Sequence, residues 1–159
     1  MNSGSLRQFE PNIANVAGKF MSAPKTLQVS CVQLHWARAL DRNLERTLHF
    51  IRLAAQEGSR VVLFPETNLT GYYFPDVLKL APDAVQQALD RTCQAAATAG
   101  LWVIVGTLRK TPDRFLNLAH VISPAGHIVH EYAKVHSAGL DGTKYCRGGN
   151  KLSLFDIDG

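Results

Sequence analysis

The stretch RVVLFPETNLTGYYFP, residues 60–75, decides the fold and raises the question of function. RVVLF, at its start, is a mostly apolar run with β-branched residues, which predicts a buried strand. Pro65 ends this strand, and a carboxylate, Glu66, follows at once. A charge there either belongs to the cap of a turn or serves catalysis. Buried surroundings would disfavour the charged form of Glu66 and suit it to act as a base near neutral pH.

Strands and helices alternate on both sides of this stretch. Apolar residues at helical spacing indicate two amphipathic helices, and each is followed by a glycine suited to end it. Short runs rich in β-branched residues predict the strands. The expected elements are a buried strand at 27–34, a helix opened by Asp41 and closed by Gly58, the strand at 60–64, a helical turn near 77–80, a helix capped by Asp83 and ended by Gly100, and a strand at 101–110.

The pattern changes after residue 110. FLNLAHVIS and HIVHEYAKV are strand-like runs, and the turn residues Pro124 and Gly126 lie between them, which predicts an antiparallel hairpin. The stretch HSAGLDGTKYCRGGN at 136–150 carries four glycines and is expected to be irregular. Strands that alternate with helices and are followed by a hairpin indicate an α/β protein with a mixed sheet.

Composition limits the classes of function. The 159 residues fit one domain, and 46% hydrophobic residues suffice for a core. The net charge of +4 comes from scattered Lys and Arg residues without a run of five, which argues against nucleic acid as a partner. No signal peptide or apolar run near 18 residues is present, so no membrane segment is predicted. Three cysteines without a CxxC motif favour a reduced, cytoplasmic protein.

Lys134 is the second candidate for a functional residue. It ends the run HIVHEYAKV, where aliphatic and aromatic neighbours would desolvate it. A lysine at such a place can stabilise an oxyanion or neutralise a nearby carboxylate. The alternative is an ordinary solvated lysine at the end of a strand.

Metal and nucleotide sites find no support in the sequence. His127 and His130 lie three apart on a predicted strand, so they face opposite sides and cannot share a metal ion. His120, on the partner strand, is expected to be a half-exposed surface residue. Neither GxGxxG after the first strand nor GxxxxGK[ST] occurs. Nucleotide phosphate binding therefore has no support in the sequence.

Several motifs follow one another along the chain: VQL at 32–34, Asn43, FPETNLTGY at 64–72, VIVGTL at 103–108, FLNLAHVISPAGHIVHEYAKVH at 115–136 and GGNKLSLFDIDG at 148–159. Their order resembles that of the nitrilase superfamily, the carbon–nitrogen hydrolases. By this resemblance Glu66 corresponds to the general base of the family and Lys134 to its catalytic lysine. The implied fold is an αββα sandwich with a mixed β-sheet, of which this chain would form a part.

The chemistry that the resemblance implies uses a third residue, a cysteine. Its thiolate attacks the carbon of a small amide, carbamoyl compound or nitrile, and the glutamate manages the protons. The lysine stabilises the tetrahedral intermediate, and water releases the acid from a thioester. The resemblance implies no metal or organic cofactor. Since family members commonly self-associate, it also implies a homo-oligomer.

The nucleophile is where the chain departs from the family pattern, in which this cysteine follows a strand beyond the segment matching FDIDG at 155–159. Cys31 is expected to be a small buried hydrophobe, and Cys93 lies on a predicted helix with the same interpretation. Cys146 is closer to charged residues, since Lys144 and Arg147 are placed to lower its pKa. The chain alone is therefore expected to be inactive. Whether Asp141 replaces a second glutamate of the family stays open.

Residues 1–24 are expected to be a leader or N-terminal extension, and 25–159 the N-terminal part of a carbon–nitrogen hydrolase domain. Two alternatives stand beside an active hydrolase. One is an inactive fragment or pseudoenzyme that serves binding or assembly. The other is a glutamine-hydrolysing domain of a synthetase, which the LTGY…PDVL run suggests. An incomplete sandwich would leave apolar sheet surface exposed.

Overall fold

The computed structural model describes residues 26–152 and 154–158, which contain five strands and four helices. The leader predicted at 1–24 lies outside these residues. The strands are β1 Val29–Cys31, β2 Val61–Leu63, β3 Trp102–Lys110, β4 Phe115–Ile122 and β5 Ile128–Ala133. The helices are α1 Leu40–Gln56, α2 Phe74–Val77, α3 Pro82–Ala99 and α4 Gly139–Tyr145. None of these helices is long and apolar enough to cross a membrane.

The strands form one mixed sheet in the order β1-β2-β3-β4-β5. β1, β2 and β3 are parallel because a helix carries the chain back between each pair, whereas β3, β4 and β5 are antiparallel and joined by short turns. The predicted hairpin is confirmed, with Ser123 and His127 closing its turn by a backbone hydrogen bond of 2.9 Å. The predicted mixed sheet is confirmed with it.

Helices α1 and α3 cover one face of the sheet. Their apolar residues recur every three or four positions, so each helix presents a stripe to the strands beneath. Val62, Val103 and Val105 of the sheet are completely buried under them. The residues that the helices contribute to this core include Leu44, Ile51, Ala54, Ala88, Leu89 and Ala96.

The helix ends match the sequence patterns only at their carboxyl termini. Gly58 and Gly100 adopt left-handed conformations with φ of 73° and 64°, as predicted for residues that close a helix. Asp83 does not cap α3, because Ala81 is the N-cap and makes no side-chain hydrogen bond. Asp41 likewise lies within the first turn of α1, where its charge is favourable to the helix dipole.

The opposite face of the sheet is largely uncovered, as expected for an incomplete sandwich. Leu63 is 39% exposed there, and Cys31 is exposed as well, so the prediction of a buried Cys31 is wrong. The segment after α4 crosses part of this face. Its Phe155 stacks on His130 with ring centroids 5.2 Å apart. The predicted burial of the strands therefore fails at Leu63 and Cys31, whose side chains face away from α1 and α3.

The glycine-rich stretch at 136–150 is not irregular throughout, because it contains α4. Tyr145 at the end of this helix stacks on Phe74 of α2 with centroids 4.5 Å apart. Leu108 and Phe115 complete the small apolar cluster around them. A helix of seven residues gains its stability from such packing rather than from intrinsic propensity. For that reason the local sequence does not predict it.

Candidate active site

The turn that carries Glu66 leaves β2 and folds over β3. The backbone N–H of Leu69 donates to the carbonyl of Gly106 at 3.1 Å, which draws the turn onto the strand. A Cβ at Gly106 would collide with the backbone nitrogen of Thr67, so only glycine fits under the turn. The glycine in VIVGTL thus has a structural reason: it lets the Glu66 turn approach the sheet.

Thr67 holds a strained conformation directly after Glu66. Its φ is 52°, which is a true outlier for a β-branched residue. The residue is 1% exposed, and its hydroxyl has no hydrogen-bond partner among the described residues. Backbone strain of this kind costs about 1–3 kcal/mol and persists only where the surroundings enforce it.

A buried polar network that is anchored on α1 holds the Glu66 turn in this strained conformation. Asn43, 1% exposed, accepts a hydrogen bond from Ala37 N at 2.6 Å. Its amide donates to Ala37 O at 2.9 Å and to Leu69 O at 3.1 Å. Thr47 accepts a hydrogen bond of 2.7 Å from the side chain of Asn68. Both residues beyond Thr67 in the turn are therefore tied to α1.

Lys134 lies just past the end of β5, and its backbone N–H and carbonyl are both hydrogen-bonded. Its N–H donates to Asn117 O at 2.8 Å, and its carbonyl accepts from Gly149 N at 2.8 Å. Side chains at Gly148 and Gly149 would collide with the backbone carbonyls of Val135 and Ala133. The glycine pair at 148–149 therefore lets the chain after α4 lie against Lys134.

These two segments bring Glu66 and Lys134 together, as the sequence predicts for a shared site. Lys134 Nζ donates to Glu66 Oε1 at 2.7 Å across 68 residues of sequence. The hydrogen bond to Glu66 raises the pKa of Lys134, against a smaller opposing effect of desolvation. Lys134 is therefore a cation at neutral pH. Asn117 Nδ2 donates to the same oxygen of Glu66 at 2.5 Å.

The predicted burial of Glu66 is wrong for the described chain. Its side chain is 49% exposed, and that of Lys134 is 33% exposed. Both line a cavity of about 340 Å³ on the uncovered face of the sheet, with Asn117, Gly106 and Tyr132 among its walls. Glu66 is exposed because no described segment packs over this part of the face.

A second cavity, of about 380 Å³, lies on the helix-covered face and contains neither Glu66 nor Lys134. Arg109 and Glu131 are paired in it at 2.8 Å. His120 Nε2 is 2.8 Å from Thr107 Oγ1. His120 is 3% exposed, so the expectation of a half-exposed residue is wrong, and burial lowers its pKa. The candidate active site is therefore the cavity at Glu66.

Of the three cysteines, Cys146 lies near enough to Glu66 and Lys134 for both charges to act on its pKa, but it makes no hydrogen bond with either in the described chain. Cys146 is 3% exposed, and burial raises its pKa, so the expected lowering by Lys144 and Arg147 is wrong. Cys93 on α3 also has a pKa raised by burial. No hydrogen bond within the described chain connects a cysteine with Glu66 or Lys134.

The remaining candidates are Asp141 and potential metal ligands. Asp141 occupies the first turn of α4, is exposed, and forms no ion pair with Lys134. Across residues 26–152 and 154–158, no cluster of three or more His, Cys, Asp or Glu residues could hold a metal ion.

Residues 28–159 match the sequence model of the Carbon-nitrogen hydrolase family. The chain belongs to this family. The match includes both Glu66 and Lys134, so the two side chains that meet in the cavity lie inside the family domain.

Curated relatives are amidases and nitrilases of greater length. The omega-amidase NIT2 of Bos taurus is 27% identical over 143 residues, which cover 82% of this chain and 51% of the relative. A nitrilase of Pyrococcus abyssi is 29% identical over 100 residues, which cover 60% of this chain and 38% of the relative. The chain thus spans about half the length of the curated relatives it matches, or less.

Solved structures share the fold. A double mutant of the amidase from Nesterenkonia sp. AN1 in complex with acrylamide matches with a TM-score of 0.77 at 17% identity, over 87% of this chain and 55% of that one. A single mutant of this amidase, which is from the nitrilase superfamily, gives a TM-score of 0.73 at 22% identity over 82% and 53%. These matches confirm the α/β class and the nitrilase-like architecture.

Sequence reasoning located Glu66 and Lys134 but gave no role to Asn117. The signal was available, because Asn117 lies between two leucines in a strand, where asparagine is uncommon. Gly106, Gly148 and Gly149 belong to the sequence motifs, but no local pattern gives the structural reason for a glycine there. Each proves to be a place where two backbone segments approach too closely for a side chain.

Proposed function

We propose that the domain to which this chain belongs hydrolyses the carbon–nitrogen bond of a small amide, carbamoyl compound or nitrile. The products are an acid and ammonia or an amine. The reaction uses a Glu-Lys-Cys site, of which this chain supplies Glu66 and Lys134. The observation that carries the proposal is the 2.7 Å contact between these two side chains in an open cavity. Family membership supports the same chemistry.

Glu66 is the base in this proposal. It takes the proton of the cysteine thiol as sulfur attacks the substrate carbon, and it returns that proton to the departing nitrogen. An amide and the thiol thereby become a thioester and ammonia. Glu66 then takes a proton from water as the water attacks the thioester, and the thiol leaves with that proton restored. The glutamate ends each cycle as it began.

Lys134 stabilises negative charge on the substrate oxygen. An ammonium group has three donors, and one of them is held by Glu66. The other two are available to the oxyanion of the tetrahedral intermediate, which a positioned cation stabilises. The raised pKa of Lys134 supports this role, because the residue keeps its charge throughout the neutral range.

The nucleophile is proposed to come from outside residues 1–159. Cys146 and Cys93 have raised pKa values, which makes them poor thiolates near neutral pH. Cys31 lies on β1, and no hydrogen bond links it to Glu66 or Lys134. We therefore expect the 159-residue chain alone to be inactive. A small neutral amide is the favoured substrate class, in keeping with the amidase relatives. A cytoplasmic location and a homo-oligomer stay predictions from sequence.

Ammonia release from primary amides, N-carbamoyl amino acids and nitriles tests the proposal. The assay compares the 159-residue chain with the polypeptide encoded by its complete reading frame, each with a Glu66→Gln variant. We expect hydrolysis only by a polypeptide that adds the cysteine, and its loss in Glu66→Gln. Hydrolysis by the 159-residue chain that disappears in Glu66→Gln would show that the chain needs no further segment. Hydrolysis that is insensitive to Glu66→Gln would contradict the proposed base.

A further inference from the structure

Asn117 contacts both members of the Glu66–Lys134 pair through different groups. Its side chain donates to Glu66 Oε1 at 2.5 Å, and its backbone carbonyl accepts from Lys134 N at 2.8 Å. The residue lies in β4, paired with Leu108 of β3, and is only 7% exposed. One rigid strand residue therefore sets the position of a carboxylate and of the lysine backbone.

The two carboxylate oxygens of Glu66 differ in the hydrogen bonds that they accept. Oε1 receives donors from both Asn117 and Lys134, whereas no side chain or backbone N–H in the described ranges 26–152 and 154–158 donates to Oε2. A carboxylate oxygen that already accepts two strong hydrogen bonds is a poor acceptor for a further proton. Oε2 is the oxygen left to exchange a proton with a substrate.

Lys134 alone is not suited to hold this orientation. Its long, partly exposed side chain has many rotamers, and Glu66 is itself half exposed. Asn117 has two side-chain torsions, a buried position and a fixed backbone, so its amide can restrict the carboxylate at small entropic cost. Asparagine is uncommon in strands, and an apolar residue of the same size would fit this buried position equally well. The hydrogen bond from its amide to Glu66 gives a reason for asparagine here.

We propose that Asn117 is a positioning residue that fixes Glu66 through Oε1, so that Oε2 takes and returns the proton during hydrolysis. The proposal rests on the proposed function of Glu66 as the base. It adds to that function the atom that transfers the proton and the residue that selects this atom.

The first test needs no activity and uses the 159-residue chain. The pKa of Lys134 is measured by NMR titration of its side chain in the parent, in Asn117→Leu and in Ile122→Val. Ile122 is a buried residue of the same strand in the helix-covered core, so its variant reports mild destabilisation alone. In Asn117→Leu we expect the pKa of Lys134 to fall from its raised value towards 10.5, because Glu66 is no longer held beside it.

Asn117→Asp provides a second arm if Asn117→Leu fails to fold. It keeps the shape and the backbone carbonyl but replaces the donor with a second carboxylate. We expect the pKa of Lys134 to rise above that of the parent, since two carboxylates then surround it. A pKa of Lys134 that stays at the parental value in whichever of these Asn117 variants folds would overturn the proposal.

A second readout separates this proposal from the proposed function. In the polypeptide that hydrolyses amides, we expect Asn117→Leu to lower kcat about a hundredfold with little change in KM, because Glu66 is misplaced. An unchanged kcat, with activity still lost in Glu66→Gln, would refute the role of Asn117 and leave the function standing. A shifted pKa of Lys134 together with Glu66-independent hydrolysis would refute the function and leave the Asn117 contact standing.

Discussion

Replacing Asn43 with alanine is expected to lower the free energy of unfolding by about 3–5 kcal/mol. The side chain is 1% exposed and makes three hydrogen bonds, one from Ala37 N and two to the carbonyls of Ala37 and Leu69. Each lost bond costs about 1 kcal/mol, and groups left buried without a partner add to this. A small cavity adds the remainder.

The consequence reaches the candidate site because Leu69 lies in the Glu66 turn. Once Asn43 no longer holds Leu69, the turn is expected to relax the strained Thr67 and to move Glu66 away from Lys134. The assay is urea unfolding followed by circular dichroism, combined with NMR titration of Lys134. Loss of the Glu66 contact should bring the pKa of Lys134 down towards 10.5.

Thr47→Val is the matched control for this prediction. It removes the hydroxyl that accepts from Asn68 and donates to the backbone carbonyl of Asn43, but it keeps the side-chain volume and the three side-chain hydrogen bonds of Asn43. We expect a loss of about 1–2 kcal/mol and a smaller effect on Lys134. If Asn43→Ala lowers the free energy of unfolding by less than about 1 kcal/mol, or if the folded variant keeps the parental pKa of Lys134, the network does not hold the turn.

Three further predictions concern other positions in the sheet and at the helix ends. Gly106→Ala should cost about 3 kcal/mol or more, because its Cβ meets the backbone of Thr67. Gly100→Ala, which enters open space at positive φ, should cost only about 1 kcal/mol by the same urea assay. Burial lowers the pKa of His120, so the unfolded chain takes up a proton on this imidazole at a higher pH than the folded chain does. The free energy of unfolding should therefore fall as pH drops below 6.5, by at most about 1.4 kcal/mol per pH unit. His120→Phe should flatten that slope in unfolding curves measured between pH 5 and 7, and an unchanged slope would assign it to other groups.

The periodic parts of the fold could be predicted from sequence because local pattern determines them. The stripes of α1 and α3, the closing glycines at 58 and 100 and the hairpin after Thr111 all follow from residue spacing. Glu66 and Lys134 could also be paired, by resemblance to a family motif. In each case the information lies within about twenty residues of chain or within a known signature.

What could not be predicted depends on contacts between distant segments. The exposure of Glu66 is set by what covers the sheet, and the burial of His120 by how α3 lies over β4. Helix α4 forms because Tyr145 packs on Phe74, about seventy residues earlier. The role of Asn117 needs the register of β3, β4 and β5, which no local pattern gives.

We propose that Glu66 and Lys134 act as one unit in the hydrolysis of a carbon–nitrogen bond. This proposal is tested by kcat/KM for amide hydrolysis in Glu66→Gln, in Lys134→Met and in the double variant of the polypeptide that carries the cysteine. When two residues serve the same step, the double variant loses little more kcat/KM than the more damaging single variant does. We expect this result for Glu66 and Lys134. Losses that multiply, or hydrolysis that survives both substitutions, would contradict the account.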